Sequence, residues 1–95
     1  MLKTQEEIRK LKLEASNIDK ILANESYSKA DIGKFEYFIS RITNLAESLK
    51  DFKNSSTITR IRELQKDKAD YHDNLPLIIA NTKALLDSLD EYFKI

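Results

Sequence analysis

The 95-residue chain has no cysteine and no tryptophan, and only one glycine, one proline and one histidine. Without cysteine there are no disulfides, no thiolate zinc sites and no cysteine nucleophile, and the redox compartment stays open. One glycine cannot build a G-x-x-x-x-G-K-[ST] or G-x-G-x-x-G phosphate cradle, and no nucleophile elbow is present. Scarce glycine and proline also leave few of the residues that tight hairpin turns need. No stretch approaches the roughly 18 apolar residues of a membrane span. The N-terminus, MLKTQEEIRKLK, is charged from its third residue and has no apolar core of signal-peptide length. Sixteen basic and sixteen acidic side chains cancel, and both signs are interspersed, so no charged block is set up to steer nucleic acid or anionic lipid. These absences lead us to expect a soluble, cytoplasmic protein with no cofactor.

What is present favours helix. Hydrophobic residues make up 41% of the chain and charged residues 34%, with Leu, Ile, Lys, Glu, Asp and Ala dominant, a composition of all-α proteins. The length fits one helical domain over 1–95. Four helices are predicted, over about 5–23, 30–53, 58–73 and 75–93.

Thr4 begins a T-Q-E-E capping box with Glu7. From there Ile8, Leu11, Ala15, Ile18 and Leu22 recur at spacings of three and four, a narrow seam about 80° wide that leaves Leu13 exposed. The stretch from Asn24 to Ser28 reads as a polar connection, with Ser28 and Asp31, or Asp31 itself, capping the second helix. In that helix Ile32, Phe35, Phe38, Ile39, Ile42, Leu45, Ala46, Leu49 and Phe52 span about 160°, wide enough to touch two neighbours. Gly33 lies near its start, where its helix penalty matters less than in mid-helix.

Asn54 to Thr57 forms the next polar connection. The third stripe, Ile58, Ile61, Leu64, Tyr71 and Leu75, is the weakest and carries Lys68 at its centre, either snorkelling or paired with a carboxylate. Pro76 cannot donate to residue 72, so the third helix should stop or kink near Tyr71 to Asn74. With Asp73 or Asn74 as cap, Pro76 would fall in the first turn of a fourth helix, where a missing N–H costs nothing. Ile78, Ile79, Thr82, Leu85, Leu86, Leu89, Tyr92 and Phe93 then give an apolar arc about 140° wide, the expected spine of the molecule.

Four helices of similar length on short loops favour a small antiparallel up-down-up-down four-helix bundle. The alternative is a three-helix unit in which helices 3 and 4 form one Pro-kinked rod, which would need a partner or a second copy to cover its seams.

Few residues invite chemistry. His72, in D-Y-H-D-N, has no second histidine at ligand spacing. Asp67, Asp70 and Asp73, and likewise Asp87, Asp90 and Glu91, lack the Glu-x-x-His pairs of di-iron bundles and the glycine-containing acidic loop of calcium sites, and read as solvated helix faces. Arg60, Arg62, Lys66 and Lys68 form the densest basic run, but Glu63, Asp67 and Asp70 are interleaved with it. We therefore expect no catalytic, metal or cofactor site.

The sequence points instead to a non-enzymatic protein–protein interaction module that binds a partner through a helix face. Two of the four stripes are wider than a small bundle's interior needs. The candidate surface is the flank of the fourth helix carrying Ile78, Leu85 and Tyr92, with Tyr37, which points off the second stripe, as a further anchor. Tyr27 lies in a polar loop and also falls off the stripes. A structural homodimer is the second reading, and nucleic-acid binding the third. In size and all-helical pattern the chain is similar to small bacteriocin immunity proteins and to helical partner proteins of specialised secretion, which would imply a partner-binding role. That resemblance is one of shape and carries no motif residues.

Overall fold

A computed structural model describes residues 2–24, 27–52 and 55–94. Its elements are four helices: α1 (Leu2–Ala23), α2 (Lys29–Glu47), α3 (Ser55–Lys66) and α4 (Tyr71–Phe93). Ion pairs and hydrogen bonds between helices fix their directions. Along α1, Gln5, Lys12 and Asp19 meet Phe93, Asp90 and Lys83 of α4, so these two helices run antiparallel. Glu7 near the start of α1 meets Arg41 late in α2, again antiparallel. Glu36 of α2 meets Tyr71 at the start of α4, so α2 and α4 run in the same direction. This is the up-down-up-down bundle that the sequence predicts, and helices 3 and 4 are separate.

One apolar cluster unites the four helices. The narrow α1 seam supplies Ile8, Leu11, Ala15 and Ile18, all buried, while Leu13 lies outside it at 65% exposure. The wider stripe of α2 buries Phe35, Phe38, Ile39, Ile42 and Ala46, and α3 contributes Ile61 and Leu64. The spine is α4, which packs against all three other helices and buries Leu75, Ile78, Ile79, Leu85, Leu86, Leu89 and Phe93. Two threonines, Thr43 and Thr82, are also buried; each hydroxyl donates to the carbonyl four residues back, Ile39 at 2.9 Å and Ile78 at 2.7 Å. Such back-bonding satisfies a hydroxyl without a tertiary partner, and no buried side-chain polar atom among the described residues lacks a hydrogen bond.

Helix ends are where the sequence reading needs correction. The Thr4 capping box does not form, because α1 already begins at Leu2. The carboxylate that would close that box has a distant partner, since Glu7 accepts from Arg41; the neighbouring Gln5 amide donates to the Phe93 carbonyl at 3.1 Å. The capping box at α2 does form, with the Ser28 hydroxyl accepting from the Asp31 N–H and the Asp31 carboxylate accepting from the Ser28 N–H.

At its other end α2 stops at Glu47 and not at Lys53. There the Ser48 hydroxyl donates back to the Leu45 carbonyl at 2.6 Å. Leu49 and Phe52 still pack on the core from the following turn, which sets the Phe52 ring edge-on to Tyr92 with centroids 5.5 Å apart. Ser55 to Thr57, read as a connection, is already the first turn of α3, and Asn54 lies outside the described residues.

The break between α3 and α4 falls at 67–70, ahead of the predicted Tyr71 to Asn74. The Asp67 carboxylate accepts from the Asp70 N–H at 3.3 Å, a local turn that competes with helix continuation. Because α3 ends at Lys66, Lys68 lies in this bend, exposed, and not at the centre of an apolar stripe. Asp70, not Asp73 or Asn74, occupies the N-cap position, so Pro76 sits in the second turn of α4. It forfeits the hydrogen bond to the His72 carbonyl, and both residues are exposed.

Two consequences can be measured. A Cβ built on Gly33 meets nothing within 4 Å, so Gly33→Ala should raise stability by about 0.5–1 kcal/mol, read as a higher urea midpoint at unchanged slope. The capping contacts with Ser28 hold the Asp31 carboxyl below its ordinary value, and Lys12 does the same for Asp90. Folded-state values below unfolded ones give stability that is complete above about pH 4 and is lost as the pH falls through the depressed values. Replacing both aspartates with alanine should flatten the acid limb of a stability-versus-pH curve while leaving a stability difference at neutral pH.

Candidate interaction surface

The residues singled out from the sequence divide between interior and surface. Ile78 and Leu85 are 0% and 1% exposed. Both point into the core, which corrects the expectation that they form an accessible flank of α4. Tyr92 is 40% exposed, but its ring is held edge-on between Phe52 and Phe93, so it closes one end of the bundle. Tyr27 is not a free anchor either: its ring packs edge-on against Phe35, with centroids 5.5 Å apart, and at a tilt against His72, at 5.1 Å. Tyr71 is half-buried and donates to Glu36 at 3.1 Å; burial first, and the Glu36 charge second, push its phenol up to about 12.

Tyr37 is different. It is 63% exposed, on the side of α2 opposite the buried stripe, and its position is fixed. Arg41, one turn on, donates to the Tyr37 hydroxyl at 2.7 Å, with its guanidinium carbon 5.4 Å from the ring centroid. Arg41 in turn is anchored to Glu7 of α1, and the bonds to Glu7 and Tyr37 raise its already high pKa further. A tyrosine held by an arginine that is itself held by a carboxylate has lost side-chain freedom before any partner arrives, which lowers the entropic cost of binding. Tyrosine and arginine are also the residue types that most often dominate interface energetics.

Beside Tyr37 runs a groove of about 620 Å³ between α1 and α2. Leu11 and Phe38 form its floor, Glu6, Lys10 and Glu14 its α1 wall, and Tyr37 and Arg41 its α2 wall. Buried Leu11 and Phe38 lie at the bottom, and among the polar residues above them Glu7 and Arg41 bridge the two walls. The sequence signal for this site was Tyr37, which falls off the α2 stripe; the groove itself forms only where α1 and α2 pair.

The other candidates do not assemble into sites. No group of three or more His, Asp or Glu residues among the described residues is placed to hold a metal ion. In the basic run, Arg62 is bridged to Glu47 and Arg60 lies 4.0 Å from Glu63, which compensates two of its four cations. No helix among the described residues is long and apolar enough to cross a membrane.

The two classes of residue should separate in a denaturation experiment. Leu85→Ala opens a cavity in the core and should cost about 2–5 kcal/mol, whereas Tyr37→Ala removes an exposed ring and should cost less than about 1 kcal/mol. Compared with family models, with curated proteins and with solved structures, the chain matches none.

Proposed function

We propose that this chain is a non-enzymatic protein–protein interaction module, and that it works through the face formed by α1 and α2 around Tyr37. The observation that carries the reading is the fixed Tyr37, 63% exposed and tied through Arg41 to Glu7, beside a groove floored by Leu11 and Phe38. Nothing in the monomer's packing requires an aromatic ring there. Leu13, at 65% exposure on α1, adds a second apolar contact to the same face. The groove is open, with polar walls around an apolar floor, as suits the side chains of a partner protein.

The test is a double variant, Leu13→Ser with Tyr37→Ser, compared with the native chain by affinity capture from its host. The reading expects at least one protein retained stoichiometrically by the native chain and lost from the variant, with an unchanged circular-dichroism spectrum and urea midpoint. A binding profile identical for the two proteins, self-association included, would sink it.

A further inference from the structure

We infer that the partner of the α1–α2 face is a second copy of this chain, docked about a two-fold axis parallel to the bundle so that α1 of each copy lies against α2 of the other. This rests on the reading above that the face is an interaction surface, and adds what covers it.

The first observation is a matching knob and notch. The Glu7–Arg41 pair sets the register of the antiparallel α1 and α2. Six residues on from Glu7 is Leu13, and six residues back from Arg41 is Phe35, so Leu13 stands at the height of Gly33 to Tyr37. Leu13 and Tyr37, at 65% and 63%, are the two most exposed large hydrophobic residues of the described chain. Next to Tyr37 on the outward side of α2 is Gly33, exposed, with nothing within 4 Å of where its Cβ would be. A glycine inside a helix costs about 0.5–1 kcal/mol relative to alanine, and no contact within the single chain explains it. Turning one copy about an axis along the bundle leaves heights unchanged and exchanges the two helices. Leu13 of each copy then falls on Gly33 of the other, beside its Tyr37.

The second observation is charge. By the same register, Glu6 stands at the height of Arg41, Lys10 at that of Tyr37, and Glu14 at that of Lys34. Glu6, Glu14 and Lys34 make no ion pair among the described residues. In the proposed arrangement Glu6 faces Arg41 and Glu14 faces Lys34 of the other copy, and Lys10 faces the Tyr37 ring. A two-fold axis across the bundle reverses heights and sets α2 against α2; placed at the height of Leu13, it would bring Lys34 against its own counterpart. Complementarity therefore selects the axis. A formal net charge of zero adds no long-range repulsion between copies.

The cysteine-free sequence makes the test direct. Leu13→Cys and Gly33→Cys proteins, made separately, are mixed in equal amounts and oxidised, with folding checked by circular dichroism. The expected result is a mixed dimer, in which a disulfide joins one chain of each variant, well in excess of either like-with-like product, alongside concentration-dependent dimerisation of the native chain in sedimentation. Gly33→Leu fills the notch from the solvent side and should raise the dimer dissociation constant by on the order of tenfold or more without unfolding the chain. Predominance of the Leu13→Cys homodimer overturns the geometry in favour of the crosswise axis. A native chain that stays monomeric at millimolar concentration overturns the inference altogether; if Leu13 and Tyr37 still govern capture of a different protein, the interaction-module reading survives, and if they do not, both fall.

Discussion

The structure depends on the burial of one helix. α4 is the element that meets all the others, and its residues from Leu75 to Phe93 supply the largest share of the core. α3 packs chiefly on α4, joined to α2 by the Arg62–Glu47 bridge. Removing apolar area from water provides about 25 cal/mol per Å², and in a chain of this size that gain only narrowly exceeds the conformational entropy lost. The apolar arc of α4 is therefore committed to the interior. That leaves little of it for a partner and moves the candidate interaction surface to the opposite side of the molecule.

That side is shaped by the narrowness of the α1 seam. The narrow α1 stripe, about 80° wide, is shared between α4 and α2, which leaves Leu11 and Phe38 as the apolar floor of a groove bridged by Glu7 and Arg41. Ion pairs then fix the geometry more than they stabilise it, since exposed pairs are worth at most about 1 kcal/mol. Glu7–Arg41 locks the register of α1 against α2, and Lys12–Asp90 and Lys83–Asp19 lock α1 against α4. The first of these also orients Tyr37 through Arg41, so one surface bridge serves both the fold and the site.

Helix number, helix order and most of the core were legible in the sequence, because amphipathic periodicity is written at spacings of three and four within each helix. Ile8 to Ile18, Phe35 to Ala46 and Ile78 to Leu89 all follow it, whereas Tyr71 and Leu75, assigned to the third stripe, belong to α4. The Ser28–Asp31 cap was legible for the same reason, as its partners are three residues apart. The exposure of Leu13 and Tyr37 followed from their departure from the stripes. Ile78 and Leu85 were misjudged because periodicity gives the width of an apolar arc but not how many neighbours close over it. Three neighbours close over α4, and none remains outside.

The sequence by itself determined that the chain is helical, where the apolar faces lie, and which tyrosine and leucine fall off them, since these depend on residues within a turn of one another. Local side-chain hydrogen bonds and packing contacts decided the helix ends, and tertiary structure decided the composition of the exposed face. α1 starts ahead of its apparent capping box, with Glu7 bound to Arg41; α2 stops early, where Ser48 turns the chain and Phe52 reaches Tyr92; and the break after α3 falls at Asp67 while Pro76 remains inside α4. Each of these ends involves a local hydrogen bond or a packing contact that helical periodicity does not encode. The groove beside Tyr37 has the same origin: it exists only because Glu7 and Arg41, 34 residues apart, hold two antiparallel helices in register.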